Sequence, residues 1–133
     1  MKNNTLNTII RSLFGKSSAI AFFTAFLAIA SYAQTNNLYY QQGGAYFGQV
    51  TVFPGSHFEI STNGTVIKTF RNSCRAISGN GVFCTFGQFR GGQHIFSGEA
   101  QFFQNGIVYL RWTNENVGGT WRQTNGAWIG FRP

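Results

Sequence analysis

The sequence predicts an all-β fold, a small antiparallel up-and-down meander of roughly seven or eight strands joined mostly by tight hairpins. Past residue 33, no stretch shows helical periodicity over even about eleven residues. Runs rich in β-formers recur about every ten residues, and Gly, Pro and Asn-Gly turn residues separate them. A chain of this size closes most economically as a small barrel, and a two-sheet β-sandwich is the alternative.

Residues 1–33 are predicted to be a secretory signal peptide. An apolar run at residues 19–30 ends in Ser-Tyr-Ala, a small-x-small cleavage site, and is preceded by three cations, Lys2, Arg11 and Lys16. The run is shorter than the roughly 18 residues of a membrane-spanning helix, which favours a cleaved signal. An uncleaved anchor is the alternative, because the segment before the apolar run is long. The exported chain would begin at Gln34 without a stable membrane span, in the periplasm or outside the cell.

Residues 34–44 are predicted to be a flexible N-terminal arm, because they are polar and end in two glycines. A short edge strand is the alternative for this segment. The single β-domain is predicted to span residues 45–133, beginning with a strand that ends at the turn pair Pro54-Gly55.

A hairpin is predicted around Asn63-Gly64, since Asn-Gly between apolar runs is a strong hairpin signal. A two-residue loop places Ile60 opposite Ile67 on the apolar face and Glu59 opposite Lys68 on the polar face. Another strand is predicted at residues 82–89.

The hairpin at residues 95–114 has a register that can be deduced. A three-residue loop, with Gly106 left-handed in a bulge, makes one face wholly apolar, whereas a two-residue loop mixes both faces. The predicted pairs are Phe102 with Val108, Ala100 with Leu110, Gly98 with Trp112, Glu99 with Arg111 and Gln101 with Tyr109.

A third Asn-Gly pair, Asn125-Gly126, predicts a last hairpin between residues 117–123 and 127–131. With three residues in the loop, Trp121 and Ile129 pair inward, and Arg122 and Trp128 pair outward. Phe131 shares the inner face with Trp121 and Ile129.

The two cysteines, Cys74 and Cys84, are predicted to form a disulfide, because an exported chain meets an oxidising compartment. Closing this short loop contributes on the order of 2–3 kcal/mol by chain entropy. A catalytic thiol is the alternative interpretation.

The composition counts against catalysis and metal binding. The chain has no aspartate, and its carboxylates are Glu59, Glu99 and Glu115. Glycosidases need two carboxylates facing one bond, and a serine triad needs a histidine backed by an acid. His57 and Glu59 share a polar strand face, where a solvated pair is expected rather than a dyad. We therefore expect no catalytic residues, no metal site and no cofactor.

Removing the leader leaves seven cations and three glutamates, a net charge of +4, and six of those cations are arginines. Arginine favours planar contacts with carboxylate, sulfate or phosphate, although scattered arginines are also typical of solvated strand faces. We expect a ligand-binding patch outside the core, formed by Trp128, Arg122, Tyr109, Arg111 and Gln101. Trp128 would stack against the ligand or against Arg122.

The predicted function is an exported, non-catalytic module that binds a glycan or other small envelope ligand through surface aromatics and arginines. The alternative is a protein-binding β-domain, such as an enzyme inhibitor or an envelope assembly component, with an acidic partner. Export and the modest charge count against a nucleic-acid partner. The oligomeric state is left open.

Overall fold

The structure, a computed structural model, describes residues 33–133, so the predicted signal peptide lies outside the described residues except for its last position, Ala33. This part of the chain forms ten β-strands and a single 3₁₀ turn at Arg71–Ser73. The strands are β1 Gln34–Tyr40, β2 Tyr46–Phe53, β3 His57–Thr62, β4 Thr65–Thr69, β5 Arg75–Ile77, β6 Gly81–Arg90, β7 Gln93–Phe103, β8 Val108–Val117, β9 Thr120–Gln123 and β10 Ile129–Arg132. Within residues 33–133 no helix is long and apolar enough to cross a membrane.

The strands form a closed antiparallel barrel of eight strands, with two extra strands, β5 and β9. The order is β10-β1-β2-β3-β4-β6-β7-β8, and pairing of β10 with β8 closes the sheet. β5 continues the ladder on β6 beyond the end of β4, and β9 extends along the far end of β8. The predicted all-β barrel is therefore confirmed, and the sandwich alternative is not formed.

The segment expected to be a flexible arm differs from that expectation. Residues 34–40 form β1, which pairs with β2 from Gln34↔Val52 onward and with β10 at Tyr39↔Arg132. Leu38 of this strand is fully buried in the core. Backbone hydrogen bonds to two strands and one buried leucine fix the segment, although its composition is polar.

Two of the three predicted hairpins have the predicted register. Ile60 pairs with Ile67 across Asn63-Gly64, and both turn residues have positive φ, as a two-residue primed turn requires. In the longer hairpin, Phe102 pairs with Val108, and Gly106 has a φ of 89°. Near the far end of this hairpin the register shifts between Ser97 and Gly98, where β8 bulges.

The third predicted hairpin is wrong. β9 and β10 do not pair with each other, because both pair with β8, at Asn114↔Gln123 and at Ile129↔Leu110. The segment between them continues along the same edge of β8, where the Thr124 amide donates to the Thr113 carbonyl and the Thr124 hydroxyl donates to the Trp112 carbonyl. The expected inward pairing of Trp121 and Ile129 is therefore not formed, and both side chains are exposed.

The barrel interior is filled by alternate residues of the eight strands, as expected for a small barrel. Phe58 and Phe102 stack across it with ring centroids 4.0 Å apart. The predicted disulfide between Cys74 and Cys84 is present, and both cysteines are buried in the same core. It links the segment after the 3₁₀ turn to the barrel wall at β6.

Candidate functional site

One end of the barrel carries a concave cleft of about 630 Å³. It forms where the β1–β2 and β3–β4 turns meet the end of β6 and the β7 and β8 strands. We call it the aromatic cleft. Its ring-bearing lining residues are Tyr40, Tyr46, Phe47, Phe96 and Trp112, and its polar lining residues are Thr62, Asn63, Thr65, Gln88 and Arg90.

A chain of directed hydrogen bonds links the cleft's lining residues. The Trp112 Nε1–H donates to Gln88 Oε1 at 2.6 Å, and Gln88 Nε2–H donates to Thr65 Oγ1 at 2.7 Å. The Thr65 hydroxyl then donates to the Thr62 carbonyl at 2.7 Å. Gln88 is only 8% exposed and Thr65 only 4%. Because every link is buried or half-buried and has one orientation, these side chains are held in place before any ligand arrives.

The aromatic walls of the cleft rest on the barrel core. The Tyr40 and Phe47 rings meet edge to face at 5.4 Å, and both contact the buried Phe131 ring, at 5.0 and 4.2 Å. Tyr46 lies at the rim with 57% of its surface exposed, and its ring meets Tyr39 at 5.7 Å. The inner rings are thus fixed by packing, while Tyr46 presents an open aromatic surface.

Arg90 supplies the positive charge of the cleft. It is exposed, at the last position of β6. All three glutamates of residues 33–133 are engaged elsewhere, in the pairs Glu59 with His57, Glu99 with Arg111, and Glu115 with Arg122. Within the described part of the chain, the Arg90 guanidinium therefore has no carboxylate partner and remains available to an anionic group of a ligand.

The structure brings together four of the five predicted site residues, on the outer face of the barrel. Gln101 pairs with Tyr109 across β7 and β8, and Arg111 lies beside them on β8. The Arg111 guanidinium covers the Trp128 ring at 5.0 Å and also binds Glu99 at 2.8 Å. The predicted patch is thus largely assembled, but its arginine is already neutralised.

Arg122 does not take the predicted place beside Trp128. It pairs with Glu115 across β8 and β9, with its Nη2 donating to Glu115 Oε2 at 3.1 Å. The expected neighbour relation depended on a hairpin between β9 and β10. Since that hairpin is not formed, the cation over Trp128 is Arg111.

Ser56, His57 and Glu59 form a hydrogen-bonded row on the outer side of the β2–β3 hairpin. Glu59 Oε2 lies 2.7 Å from His57 Nε2, and the Ser56 hydroxyl lies 2.6 Å from His57 Nδ1. A hydroxyl, an imidazole and a carboxylate in this order resemble the parts of a nucleophilic triad. All three residues lie within four consecutive positions of one hairpin, so local geometry is sufficient to explain the row.

A second exposed aromatic group lies on the outer surface, between the 3₁₀ turn and β9. His94 stacks on Phe89 at 4.7 Å and meets Trp121 edge to face at 4.8 Å, with Phe70 at 6.4 Å. Phe70 and Trp121 are each 43% exposed. We call these four residues the outer aromatic patch; such exposed apolar groups are typical of interaction surfaces.

The sequence does not single out the aromatic cleft, because its lining residues come from seven different strands and the β3–β4 turn. One signal does point there. Gln88 is in phase with Cys84 and Phe86, the inward positions of β6, so an amide faces the interior near a strand end. An inward polar residue close to a turn indicates that this end of the barrel interior is not purely apolar.

Comparison with protein-family models, with curated proteins and with solved structures finds no match to this chain. Among residues 33–133, no three His, Cys, Asp or Glu side chains group so as to hold a metal ion.

Proposed function

We propose that the chain is an exported, non-catalytic binding module that takes a small glycan in the aromatic cleft. The observation that carries the proposal is the combination of ring surfaces with a preorganised polar chain, Trp112 to Gln88 to Thr65, in one concave site. Sites for small molecules generally join an apolar or aromatic lining to a few fixed polar groups.

A sugar suits this lining because it has two chemically different surfaces. Its C–H face carries slight positive charge and packs on the negative face of an aromatic ring, which Tyr46 offers at the rim. Its hydroxyl edge needs hydrogen-bonding groups, which the exposed Asn63 and Arg90 supply in the same cleft. The buried Gln88 and Thr65 hold the Trp112 indole in place instead.

Arg90 favours an acidic sugar over a neutral one. A guanidinium without a carboxylate partner binds a carboxylate or sulfate group through two parallel hydrogen bonds. We therefore propose uronic-acid or sulfated oligosaccharides as the preferred ligand class.

The outer group of Trp128, Arg111, Tyr109 and Gln101 is the competing location for the same function. It is the weaker one, because Glu99 already neutralises Arg111 and the guanidinium occupies one face of Trp128. An exposed pair of this kind stabilises the surface even without a ligand.

The test is a titration of the exported protein with neutral and acidic oligosaccharides. The NMR resonance of the Trp112 indole N–H monitors binding. Acidic sugars should shift this resonance saturably. Arg90→Gln should weaken their binding by about tenfold, and Tyr46→Ala by about fivefold. Trp128→Ala is the matched aromatic control and should leave the affinity unchanged. Loss of binding in Trp128→Ala with full binding in Tyr46→Ala would move the site to the outer face.

Export is part of the proposal and has its own test. Expression of the full chain in a bacterium with a periplasm should give a mature protein that begins at Gln34 and carries an oxidised Cys74–Cys84 pair. The intact mass of the protein purified from the periplasmic fraction reports both the cleavage site and the oxidation of the cysteine pair. A protein that keeps residues 1–33 would instead support the uncleaved anchor.

The proposal that the protein is not an enzyme is tested by asking whether Ser56 acts as a nucleophile. If the row of Ser56, His57 and Glu59 is structural, a fluorophosphonate probe should not label the protein, and Ser56→Ala should not change hydrolysis of an activated ester. Stoichiometric labelling of Ser56 that disappears in His57→Gln would reveal an enzyme.

A protein partner is the second candidate function, and the outer aromatic patch favours it. The net charge of +4 on the exported chain suits an acidic partner, since complementary charge steers association. Immobilised protein should then retain one stoichiometric acidic protein from envelope extract. Trp121→Ala should release that protein, whereas Trp128→Ala, equally a surface tryptophan, should not.

A further inference from the structure

A second concavity of about 330 Å³ lies directly beside the aromatic cleft, along β2, β3 and β4. We call it the outer groove. It shares five lining residues with the cleft, Tyr46, Phe47, Thr62, Asn63 and Thr65. Its own lining residues are Gly48, Ser61, Gly64 and Val66. Because Tyr46 and Asn63 line both spaces, the cleft and the groove meet where β2 begins and where the β3–β4 turn reverses the chain.

Two exposed side chains equip the outer groove for hydrogen bonding. Ser61 points away from the core, since its neighbour Ile60 is fully buried, and Asn63 lies exposed in the turn. Within residues 33–133 neither the Ser61 hydroxyl nor the Asn63 amide has a hydrogen-bond partner. A hydroxyl both donates and accepts, and a carboxamide adds further donors and an acceptor. These two groups suit the hydroxyl edge of a sugar unit.

The outer groove differs from the cleft in charge. Within the described part of the chain, no Lys, Arg, His or Glu side chain lines it, whereas Arg90 lines the cleft. A carboxylate placed in the groove would give up part of its hydration and gain no charged partner. The lining therefore favours a neutral sugar unit over an acidic one.

Arg90 lies at the junction of the two spaces. A Cβ at Gly64 would lie 3.7 Å from Arg90 Nη1, and Gly64 itself lines the groove. Gly64 has a φ of 75°, as the turn requires, so the residue that meets the guanidinium here carries no side chain. An acidic group bound by Arg90 would thus be held next to the entrance of the groove.

We propose that the ligand is an oligosaccharide in which an acidic unit is linked to a neutral one. The acidic unit lies in the aromatic cleft on Arg90, and the neutral unit lies in the outer groove on Ser61 and Asn63. The volume agrees, since a cavity of ~150 Å³ holds one benzene ring and about 330 Å³ suits one pyranose unit. This inference rests on the glycan proposal and deepens it, because it specifies the order of the sugar units.

The experiment compares three probes on the protein purified after export of the full chain. They are glucuronic acid, the hyaluronan tetrasaccharide, which alternates acidic and neutral units, and tetragalacturonic acid, which has acidic units throughout. The Trp112 indole N–H reports the cleft, and the backbone amides of Ser61 and Val66 report the groove.

We expect glucuronic acid to shift the Trp112 resonance alone. The hyaluronan tetrasaccharide should also shift the Ser61 and Val66 amides and bind about tenfold more tightly, because it adds hydrogen bonds in the groove. Tetragalacturonic acid should bind about threefold more weakly than the hyaluronan tetrasaccharide, although it carries more charge, because its second unit is acidic.

Ser61→Ile fills the groove with a β-branched side chain that suits an outward strand position. This variant should bind the hyaluronan tetrasaccharide about tenfold more weakly and glucuronic acid as before. Thr51→Ile, at an outward position of β2 that lines neither space, is the matched control and should bind both probes like the parent protein.

Two results would overturn the inference and leave the glycan proposal in place. One is a Trp112 shift with the hyaluronan tetrasaccharide but no shift at Ser61 and Val66. The other is equal or tighter binding of glucuronic acid or tetragalacturonic acid. If no acidic sugar shifts the Trp112 resonance, the glycan proposal itself is wrong, and this inference falls with it.

Discussion

Gly98 shows how one residue decides the packing of the barrel. It lies on the inner face of β7, opposite Phe86 on one neighbouring strand and Trp112 on the other. A Cβ at this position would lie 2.4 Å from the Phe86 ring and 2.2 Å from the Arg111 carbonyl oxygen. The space above the glycine is therefore filled by Phe86, against which Trp112 packs edge to face at 5.9 Å.

Gly98→Ala is accordingly expected to lower the free energy of unfolding by about 1–3 kcal/mol, because overpacking forces the backbone or the ring to move. Urea denaturation measures this change. Gln101→Ala, an outward residue of the same strand, should change stability by no more than about 0.5 kcal/mol. Equal stability of Gly98→Ala and the parent protein would show that the β7 backbone moves to accept the methyl group without a loss in the free energy of unfolding.

Gln88 is the second residue on which the local structure depends. Gln88→Met should destabilise the protein by about 1–3 kcal/mol, since it leaves the Trp112 Nε1–H and the Thr65 hydroxyl with fewer partners. In Gln88→Met with Trp112→Phe, neither partner of the broken bond is left, so the combined loss should be smaller than the sum by about 1 kcal/mol. Additive losses in chemical denaturation would contradict a coupled pair.

The turns show why a local signal succeeds in some elements and fails in others. Asn63-Gly64 and Asn105-Gly106 both form the expected hairpins, because strands of suitable length flank them. At Asn125-Gly126 the same dipeptide does not reverse the chain between paired strands. There β8 extends to Val117 and offers one long edge, so β9 and β10 both pair with it, and Gly126 lies close to the Trp112 carbonyl.

The disulfide holds one short segment of the chain, the 3₁₀ turn and β5, against β6. Cys74→Ala with Cys84→Ala should lower the free energy of unfolding by roughly 2–3 kcal/mol through the greater chain entropy of the unfolded state. Reduction of the unmodified protein with dithiothreitol should give a similar fall in urea denaturation. Unchanged stability after complete reduction would contradict this role.

At the scale of the whole molecule, the barrel depends on closure by its first and last strands. β1 and β10 pair with each other, and β10 pairs with β8, so the sheet has no open edge at this seam. Phe131 of β10 is fully buried and contacts the Tyr40 and Phe47 rings of the aromatic cleft. The strand that closes the barrel therefore also supports the walls of the cleft.

Phe131→Ala should destabilise the protein by about 3–5 kcal/mol, the loss expected for truncating a fully buried phenylalanine. Because the cleft walls rest on this ring, binding in the aromatic cleft should weaken as well. Phe70→Ala, at an exposed phenylalanine, is the control and should cost under about 1 kcal/mol. Thermal denaturation measures the stability of both variants. Equal losses of stability would contradict a special role of Phe131 in closing the barrel.

The candidate site was predictable only in part. Pairing of Gln101 with Tyr109 and of Glu99 with Arg111 followed from one hairpin, and the structure has both pairs. The aromatic cleft did not follow, since Tyr40, Asn63 and Arg90 are far apart in the chain and meet only when the sheet closes. Sequence patterns give the face of each strand, but not which strand ends converge.

The sequence by itself determined most of the strand-forming segments, the register of two hairpins, the disulfide and the closed all-β class, because alternation and turn residues act over a few positions. Only the tertiary structure decided that residues 34–40 form a barrel strand, that β9 and β10 share the edge of β8, and that the aromatic cleft and the outer groove meet at one end of the barrel. Those outcomes depend on contacts between residues distant in the chain, and closure of the sheet is what brings them together.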